Sequence, residues 1–425
     1  MIDRSNTLCT LPWMHLHSWP DGKAMLCCVA HGGENGGQVG DFSKNTFQEI
    51  MNSEKMKQVR LDLMNGVKIP ECSACWKDEK LGKHSFRLST DNYANMQELL
   101  DKTDGDGTIK DPKMLYMDFR FSNLCNLGCQ TCGSPLSSTI ANNRTDNQHE
   151  EEILRKRGVL SDRGTITSFV YARPDFMDVD VYPYLEECKG FYFAGGEPLM
   201  HQEHLDILNY LCEHQLCDKK MITYSTNLTL LKWKSNDFLD IWKNFNNLFF
   251  YCSIDGQGDL LEYVREFSKH KTVFKNLERL LDFKKENPDK NISINICYTH
   301  SLYNAYYTKE FFQYLFDSGL LDRLNYIELN FAYSDNNSPG CLPEFAKKEL
   351  KLKRAEDRES DVMQYAFSKI HNLRHYFDAI DSVIDEDISP DVFDKLIRYK
   401  LQEDLPKIKK AVPWLASVIE RRSIK

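Results

Sequence analysis

Three cysteines lie close together in the segment FSNLCNLGCQTCG. Cys125, Cys129 and Cys132 have the spacing Cys-x3-Cys-x2-Cys. Three thiolates on one short loop can bind three irons of a cubane and leave the fourth iron without a protein ligand. A structural zinc site would need a fourth ligand nearby, and no His or Cys follows Cys132 before His149. The spacing therefore favours an iron-sulfur cluster with an open iron, where chemistry can occur.

A second group of cysteines lies in the first 80 residues. Its members are Cys9, Cys27, Cys72 and Cys75, and Cys28 is a possible fifth thiol. Four thiolates from separated segments can bind either zinc or an iron-sulfur cluster, and spacing alone does not choose between the two. Because 14 cysteines are not expected to form disulfides in a reducing cytosol, metal ligation is the better explanation for these clustered cysteines.

The elements that must position these cysteines can be predicted from hydrophobic patterns. From Lys113 onward six short apolar segments alternate with helical patterns, which predicts an α/β fold with a parallel sheet. The predicted strands are MLYMDFR, GFYFAG, MITYST, LFFYCSID, NISINICYT and YIELNFA. In the first strand Tyr116, Asp118 and Arg120 share one face, and a polar face suits the mouth or lumen of an open barrel.

Composition shifts divide the chain into four predicted regions. They are a cysteine-rich domain at 9–80, a Gly/Asp-rich linker at 81–111, an α/β barrel at 112–342 with an insertion at about 140–186, and a helical extension at 343–425. In the first region one helix is predicted between Asn45 and Gly66. His15, His17 and His31 are expected to be solvated or packing residues rather than ligands.

Polar motifs follow three of the predicted strands. They are Gly195-Gly196-Glu197-Pro198 after the second strand, Ser225-Thr226-Asn227 after the third, and Ser253-Ile254-Asp255-Gly256 after the fourth, with Arg265 downstream. Barrels and open α/β sheets place their sites at the carboxyl ends of parallel strands. We therefore expect these motifs and the cysteine loop to serve one pocket.

Together these segments resemble the radical S-adenosylmethionine (radical SAM) superfamily. In that superfamily a three-cysteine loop holds a 4Fe-4S cluster whose free iron chelates SAM. The resemblance implies that Glu197 binds the SAM ammonium. It also implies that Ser225, Thr226 and Asn227 bond the ribose or the methionine carboxylate, that Ser253 and Arg265 bind that carboxylate, and that Asp255 contacts ribose or substrate. This chain departs at Leu228, where related enzymes carry glycine, and at Thr131, where many carry an aromatic or large apolar residue.

The first 80 residues resemble the SPASM/twitch auxiliary-cluster domain. The similar features are Cys9-x2-Pro12-Trp13, the Trp19-Pro20-Asp21-Gly22 hairpin and the closing Cys72-x2-Cys75. The resemblance implies a second iron-sulfur cluster bound by Cys9, Cys27, Cys72 and Cys75. Cys27 is preferred to Cys28 because the interval from Gly22 matches it. In this chain the module precedes the barrel, whereas it usually follows it.

Charge and hydropathy exclude several partners. The chain has 425 residues and a formal net charge of -9, so nothing global attracts nucleic acid or an anionic membrane. No segment approaches the ~20 apolar residues of a membrane span, and no secretion signal is visible, so a cytoplasmic protein is expected.

The resemblance implies an enzyme that cleaves SAM reductively to a 5′-deoxyadenosyl radical, which abstracts hydrogen from a substrate. A peptide or protein side chain is the expected substrate, and a flavodoxin- or ferredoxin-like protein is the implied electron donor. A nucleotide, sugar or other small metabolite is the alternative substrate. A non-catalytic iron-sulfur or zinc interaction protein is the alternative from a different functional class.

Overall fold

The computed structural model describes residues 7–30, 36–80, 84–143, 168–332, 336–386 and 388–423. The strands in these ranges are β1 His15–Ser18, β2 Lys23–Met25, β3 Gln38–Asp41, β4 Tyr116–Phe119, β5 Gly190–Phe193, β6 Met221–Thr226, β7 Lys232–Trp233, β8 Asn236–Asp237, β9 Asn247–Ser253, β10 Asn291–His300 and β11 Tyr326–Phe331. All six strands predicted from hydrophobic runs are present, as β4, β5, β6, β9, β10 and β11.

The helices begin and end as follows. They are α1 Leu11–Met14, α2 Phe47–Met51, α3 Glu54–Met64, α4 Ser73–Lys80, α5 Met96–Asp101, α6 Ser138–Asn143, α7 Gln202–Glu213, α8 Phe238–Trp242, α9 Gly258–Val264, α10 His270–Glu286, α11 Thr308–Asp317, α12 Glu344–Arg358, α13 Asp361–Lys369, α14 Leu373–Ile384, α15 Pro390–Leu396, α16 Leu405–Ala411 and α17 Pro413–Ser423. No helix of the described ranges combines the length and apolar character that crossing a bilayer requires.

The chain forms two compact units. Unit 1 contains residues 1–125, 134–224 and 240–248, and unit 2 contains residues 126–133, 225–239 and 249–425. The cysteine loop therefore contributes Cys125 to unit 1 and Cys129 and Cys132 to unit 2, and each part is described within its own unit.

The sheet of unit 1 has the order β6-β5-β4-β1-β2-β3. Strand β4 is parallel to β5, and β5 is parallel to β6, as predicted. Strand β1 is also parallel to β4, with His15 opposite Tyr116, and it forms an antiparallel hairpin with β2. The cysteine-rich segment therefore extends the same sheet as β4. The sequence did not predict this, because the short polar run HLHS gives no strand signal.

The helix predicted between Asn45 and Gly66 is two helices. Thr46 caps α2 in a capping box with Glu49, and the side chain of Ser53 accepts a hydrogen bond from an N–H of the first turn of α3. Ser53 favours a helix start because its hydroxyl replaces a missing backbone acceptor. The predicted end of the second helix is confirmed, since Gly66 follows it with a φ of +77°.

Residues 81–111, predicted to be a linker, instead pack against the beginning of the chain. They contain α5 and a 3-10 helix over Phe86–Asn92. Arg87 forms an ion pair with Glu79 and donates to the carbonyl of Leu8, and Thr103 accepts a hydrogen bond from the indole of Trp13. These long-range contacts outweigh the Gly/Asp-rich composition that indicated a linker.

Most of the predicted insertion, residues 144–167, lies outside the described residues. The described remainder forms short turns over Phe169–Tyr171, Met177–Val181 and Tyr182–Tyr184. Phe169 and Phe176 pack with Phe42 and Phe119 in an aromatic cluster. This part of the segment therefore contributes to the core of unit 1.

In unit 2 the strands have the order β11-β10-β9, and β10 is parallel to β11. Alternate side chains on β9 and β10 are buried, including Phe250, Ile294 and Ile296. The opposite face is more polar and partly exposed. The C-terminal helices join a hydrophobic cluster that includes Leu260, Tyr263 and Val264 on α9. The C-terminal extension therefore supports the helix that precedes Arg265.

Candidate functional site

The four predicted auxiliary ligands, Cys9, Cys27, Cys72 and Cys75, lie together in unit 1. Burial raises the pKa of Cys27 well above the ordinary thiol value, and the nearby Cys28, Cys9 and Cys72 add to the shift. Burial also raises the pKa of Cys72 to about 12, with Cys9 and Cys75 contributing. Buried thiolates that repel one another need cations between them, which irons would supply. The four cysteines therefore fit an iron-sulfur cluster.

Cys28 has different neighbours from Cys27. Burial, together with the nearby carboxylate of Asp118 and the thiol of Cys75, raises the pKa of Cys28 to about 12, and Arg120 opposes the shift. Cys27 instead has Cys9 and Cys72 beside it. The choice of Cys27 as the fourth ligand stays a prediction.

Asp118 is the centre of a buried ionic network in unit 1. Its carboxylate lies 3.1 Å from His17 Nδ1 and accepts a hydrogen bond from Arg120 Nε at 2.9 Å. Burial alone would raise the pKa of Asp118, but Arg120 and His17 outweigh burial and hold it well below its usual range. His15 is equally buried and contacts the Tyr116 carbonyl through Nδ1 at 2.9 Å.

This network bears on two expectations from the sequence. The polar face of β4 is buried, because Asp118 is fully buried and Tyr116 is nearly so, and the barrel mouth or lumen expected there stays a prediction. His15 and His17 are buried rather than solvated. As expected of packing residues, His15 stacks on Tyr116 and His17 packs edge-on against Trp19, and each also makes a polar contact. His31 lies outside the described residues.

The Gly195-Gly196-Glu197-Pro198 motif holds the backbone that leads into the cysteine loop. The Glu197 N–H donates to the Leu124 carbonyl at 2.8 Å. Gly196 has a φ of +58°, and a Cβ there would lie within 3.0 Å of the same carbonyl oxygen. Only glycine combines this conformation with so close an approach. Gly196 and the Glu197 N–H therefore fix the residue before Cys125.

The carboxylate of Glu197 is fully buried, and Oε1 accepts a hydrogen bond from the Leu199 N–H at 3.3 Å. It thus caps the 3-10 turn that begins at Pro198. Its predicted contact with the SAM ammonium is not tested by this geometry. His201 approaches the Leu124 carbonyl through Nε2 at 3.3 Å, so a third residue besides Gly196 and Glu197 supports that carbonyl.

Cys125 is partly exposed and its backbone is anchored within unit 1. Its N–H donates to the Ser138 hydroxyl at 3.1 Å, and its carbonyl accepts from the Thr139 hydroxyl at 2.7 Å. Both partners lie on α6, which begins at Ser138. The helix that follows the loop therefore fixes its first cysteine.

The other two loop cysteines lie beside the segment that follows α9 in unit 2. The Gly128 N–H donates to the Glu266 carbonyl at 3.0 Å, and the Gln130 N–H donates to the Val264 carbonyl at 2.8 Å. Cys129 is 9% exposed, whereas Cys132 is exposed. The backbone of this segment thus holds the residues on either side of Cys129.

Arg265 connects that loop to the end of β9. Its Nη1 lies 3.9 Å from the Cys129 sulfur, and its Nη2 lies 2.8 Å from an oxygen of Asp255. The other oxygen of Asp255 accepts from the Thr299 N–H at 2.8 Å. Arg265 is therefore a fixed cation at the thiols. Its guanidinium charge fits both a cluster and the SAM carboxylate. The predicted contacts of Arg265 and Ser253 with that carboxylate, and of Asp255 with ribose or substrate, stay predictions.

The Thr226-Asn227 motif also contacts the cysteine loop within unit 2. Asn227 Nδ2 donates to Asn126 Oδ1 at 3.0 Å, and Asn126 Nδ2 donates to the Thr229 hydroxyl at 2.9 Å. Ser225 is the first residue of unit 2 on this strand. The predicted bonds of Ser225, Thr226 and Asn227 to ribose or carboxylate are not tested, but Asn227 holds the loop.

Sequence reasoning missed several residues that support the site. Arg120, His17, Asn126 and His201 have no role in the motifs. The sequence places Arg120 on the polar face of the first strand with Asp118, and the opposite charges of the two residues are the signal for their ion pair. Nothing local identifies His17, because its partner Asp118 is 101 positions away.

The described residues form no site for a single metal ion. Among the residues described above, no three His, Cys, Asp or Glu side chains are arranged to hold one metal ion. The thiolates of an iron-sulfur cluster bind different irons, so this finding does not bear on a cluster.

These features define a class of protein: an α/β protein with a parallel sheet, a three-cysteine loop and a second cysteine group. Residues 119–300 match the model of the radical SAM superfamily, and residues 9–76 match the SPASM iron-sulfur cluster-binding domain. The chain therefore contains a radical SAM domain, with a SPASM domain ahead of it. The predicted fold class and the predicted cofactors are thereby confirmed: a 4Fe-4S cluster, SAM and an auxiliary iron-sulfur cluster.

Solved structures show distant similarity. Native anSMEcpe with bound AdoMet is 19% identical with a TM-score of 0.35, and 56% of this chain and 60% of that chain are covered. TYW1 with a lysine-pyruvate adduct bound is 17% identical with a TM-score of 0.29, and the match covers 56% of this chain and 70% of that chain. Streptococcus suis SuiB bound to S-adenosylmethionine is 14% identical with a TM-score of 0.31, and the match covers 72% of this chain and 62% of that chain. The chain thus spans about three fifths of the anSMEcpe and SuiB structures. No curated protein sequence matches it.

Proposed function

We propose that this chain is a radical SAM enzyme that modifies a peptide or protein side chain. When bound, the cluster and SAM supply a 5′-deoxyadenosyl radical that abstracts a substrate hydrogen. The chain's own residues bind these groups, orient them and exclude water. Superfamily membership supports an enzyme, while the substrate class is the part that we propose.

The observation that carries the proposal is the position of Arg265. It pairs with Asp255 of the Ser253-Ile254-Asp255-Gly256 motif at 2.8 Å and lies 3.9 Å from the Cys129 sulfur. An electron carrier needs no such strand-end motif beside its cysteines. The motif resembles the SxDG...R pattern of peptide- and protein-modifying members, so the same contact supports a peptide substrate.

The N-terminal cysteines have a separate role in this proposal. Ligation by Cys9, Cys27, Cys72 and Cys75 would leave no iron open, which favours electron transfer over substrate binding. An electron must also enter from outside, and we propose a flavodoxin- or ferredoxin-like donor. We place the protein in the cytoplasm, because its many free thiols and clusters require a reducing compartment.

A small metabolite is the alternative substrate, and a non-catalytic iron-sulfur or zinc protein is the alternative class. A radical SAM enzyme and a non-catalytic protein differ in one measurable property, since only the enzyme cleaves SAM. The two substrate classes differ in the length of the ligand that binds. If the substrate is a peptide, extended peptides should bind better than single amino acids.

The test is anaerobic reconstitution followed by iron and sulfide analysis, with dithionite and SAM added and 5′-deoxyadenosine quantified. Two 4Fe-4S clusters correspond to about eight irons per chain. A Cys125→Ala/Cys129→Ala/Cys132→Ala variant should lose about four irons and all SAM cleavage. Cys188→Ala is the matched control, because Cys188 is a buried cysteine whose thiol donates to the Gly190 carbonyl outside both groups.

Two outcomes would contradict the proposal. Well-loaded protein that forms no 5′-deoxyadenosine, alone or with added peptides, would favour a carrier. Equal cleavage by the triple variant and the Cys188→Ala control would show that the three-cysteine loop is not the site.

A further inference from the structure

A partly exposed polar face in unit 2 carries an acidic residue that the site described above does not use. Glu328 lies on β11 directly opposite Cys297 on β10. Their side chains share the face on which Tyr251, Tyr326 and Thr299 also lie, since side chains alternate along each strand. The other face of these strands is buried. The polar face is therefore the one open to a ligand.

The charge of Glu328 is not compensated within the described part of the chain. The Glu328 carboxylate accepts a hydrogen bond from the Cys297 thiol at 3.3 Å. No Lys, Arg or His of the described residues forms an ion pair with Glu328. Asp255, the other carboxylate of this region, is paired with Arg265. A neutral thiol is a weak donor. Glu328 thus presents a carboxylate that can accept a stronger, charged donor.

Two tyrosines of the same face, Tyr251 and Tyr326, lie near this carboxylate, and a third tyrosine contacts Tyr326. Burial raises the pKa of Tyr251 and of Tyr326, and the nearby Glu328 carboxylate adds to both shifts. Tyr326 is also hydrogen-bonded to Tyr376 on α14. All three rings are partly exposed. The faces of tyrosine rings attract cations, and a carboxylate among such rings attracts them further. Helix α14 belongs to the C-terminal extension, for which the sequence suggested no function.

We propose that Glu328 and these tyrosines bind an ammonium or guanidinium group of the substrate, which makes Glu328 a specificity-determining residue. This inference rests on the proposed function, because it specifies that the modified peptide carries a lysine or arginine side chain. The carboxylate forms an ion pair with the cation, and the rings contact its methylene groups and its charge.

The test uses reconstituted protein and short acetylated peptides that are identical except for a central Lys, Arg, norleucine or Glu. Binding is measured anaerobically by equilibrium dialysis in the presence of SAM. An ion pair and a cation-π contact together should make the Lys and Arg peptides bind about tenfold more tightly than the norleucine peptide. Glu328→Gln should remove this preference.

Controls separate charge from structure. Glu278→Gln makes the same charge change at an exposed position on α10 and should keep the preference. Tyr251→Phe keeps a ring and should also preserve it, whereas Tyr251→Leu should weaken it. If Glu328 only stabilises the sheet, Glu328→Gln will lower the unfolding temperature and leave the preference unchanged.

Equal binding of the Lys and norleucine peptides to wild-type protein would overturn the inference. A preference that persists in Glu328→Gln would do so as well, and so would the absence of saturable binding at millimolar peptide. Because binding is measured separately from SAM cleavage, the two proposals can fail independently. A preference without 5′-deoxyadenosine would overturn the enzyme proposal alone, and cleavage without a preference would overturn this inference alone.

Discussion

Gly196→Ala should disrupt the start of the cysteine loop. The residue has a φ of +58°, and the added Cβ would lie within 3.0 Å of the Leu124 carbonyl oxygen and 3.1 Å from the carbonyl carbons of Asn123 and Leu124. A left-handed conformation costs a non-glycine residue about 1–2 kcal/mol. Overpacking against backbone costs a further ~1–3 kcal/mol, since the carbonyl must move. We expect a total loss of about 2–5 kcal/mol in the free energy of unfolding.

The matched control is Gly319→Ala. Gly319 has a φ of +68°, but an added Cβ there meets no atom within 4 Å. It should therefore lose only the conformational part, about 1–2 kcal/mol. Unfolding by urea and iron content after reconstitution are measured for both variants. Since the clash displaces the residue before Cys125, only Gly196→Ala should lose iron at the radical SAM site. Equal stability and full iron content in the two variants would refute this account of the motif.

Two other perturbations test the surroundings of the loop. Arg265→Met leaves the Asp255 carboxylate buried without its cation, so the free energy of unfolding should fall by about 3–5 kcal/mol, and Asp255→Asn in the same chain should restore part of it in urea titrations. Burial lowers the pKa of His201 from 6.5 to about 4, so the unfolded chain takes up a proton that the folded chain excludes. Stability from this residue is complete above pH 6.5 and should fall by about 1.4 kcal/mol per pH unit down to about pH 4, a slope that His201→Gln should remove.

The parallel strands could be predicted because each one is a short apolar run bounded by polar residues. Their carboxyl ends could be located for the same reason, which placed Gly196, Asn227 and Asp255 correctly at strand ends. The structure then shows what the motifs do locally. Asn227 bonds Asn126, and the Glu197 N–H bonds the Leu124 carbonyl, so both motifs hold the backbone of the cysteine loop.

The N-terminal part of the sheet could not be predicted because its stabilising contacts are not local. Strand β1 is short and polar, and its two histidines become buried only because Asp118 and the Tyr116 carbonyl lie opposite them. The linker prediction failed for a related reason. Composition indicated flexibility, whereas Arg87 is held by Glu79 and the Leu8 carbonyl, the latter 79 positions away.

The departure at Leu228 shows how a family motif can change without losing its geometry. Leu228 has a φ of +57°, the conformation for which glycine is the usual residue, and this costs leucine about 1–2 kcal/mol. Its side chain is fully buried, which stabilises it by about 1.5–3 kcal/mol. Its N–H also donates to the Thr226 hydroxyl at 3.1 Å, and its carbonyl accepts from Asn276 Nδ2 at 3.0 Å. Burial and these bonds offset the strain, so the turn that places Asn227 against the cysteine loop is kept without glycine.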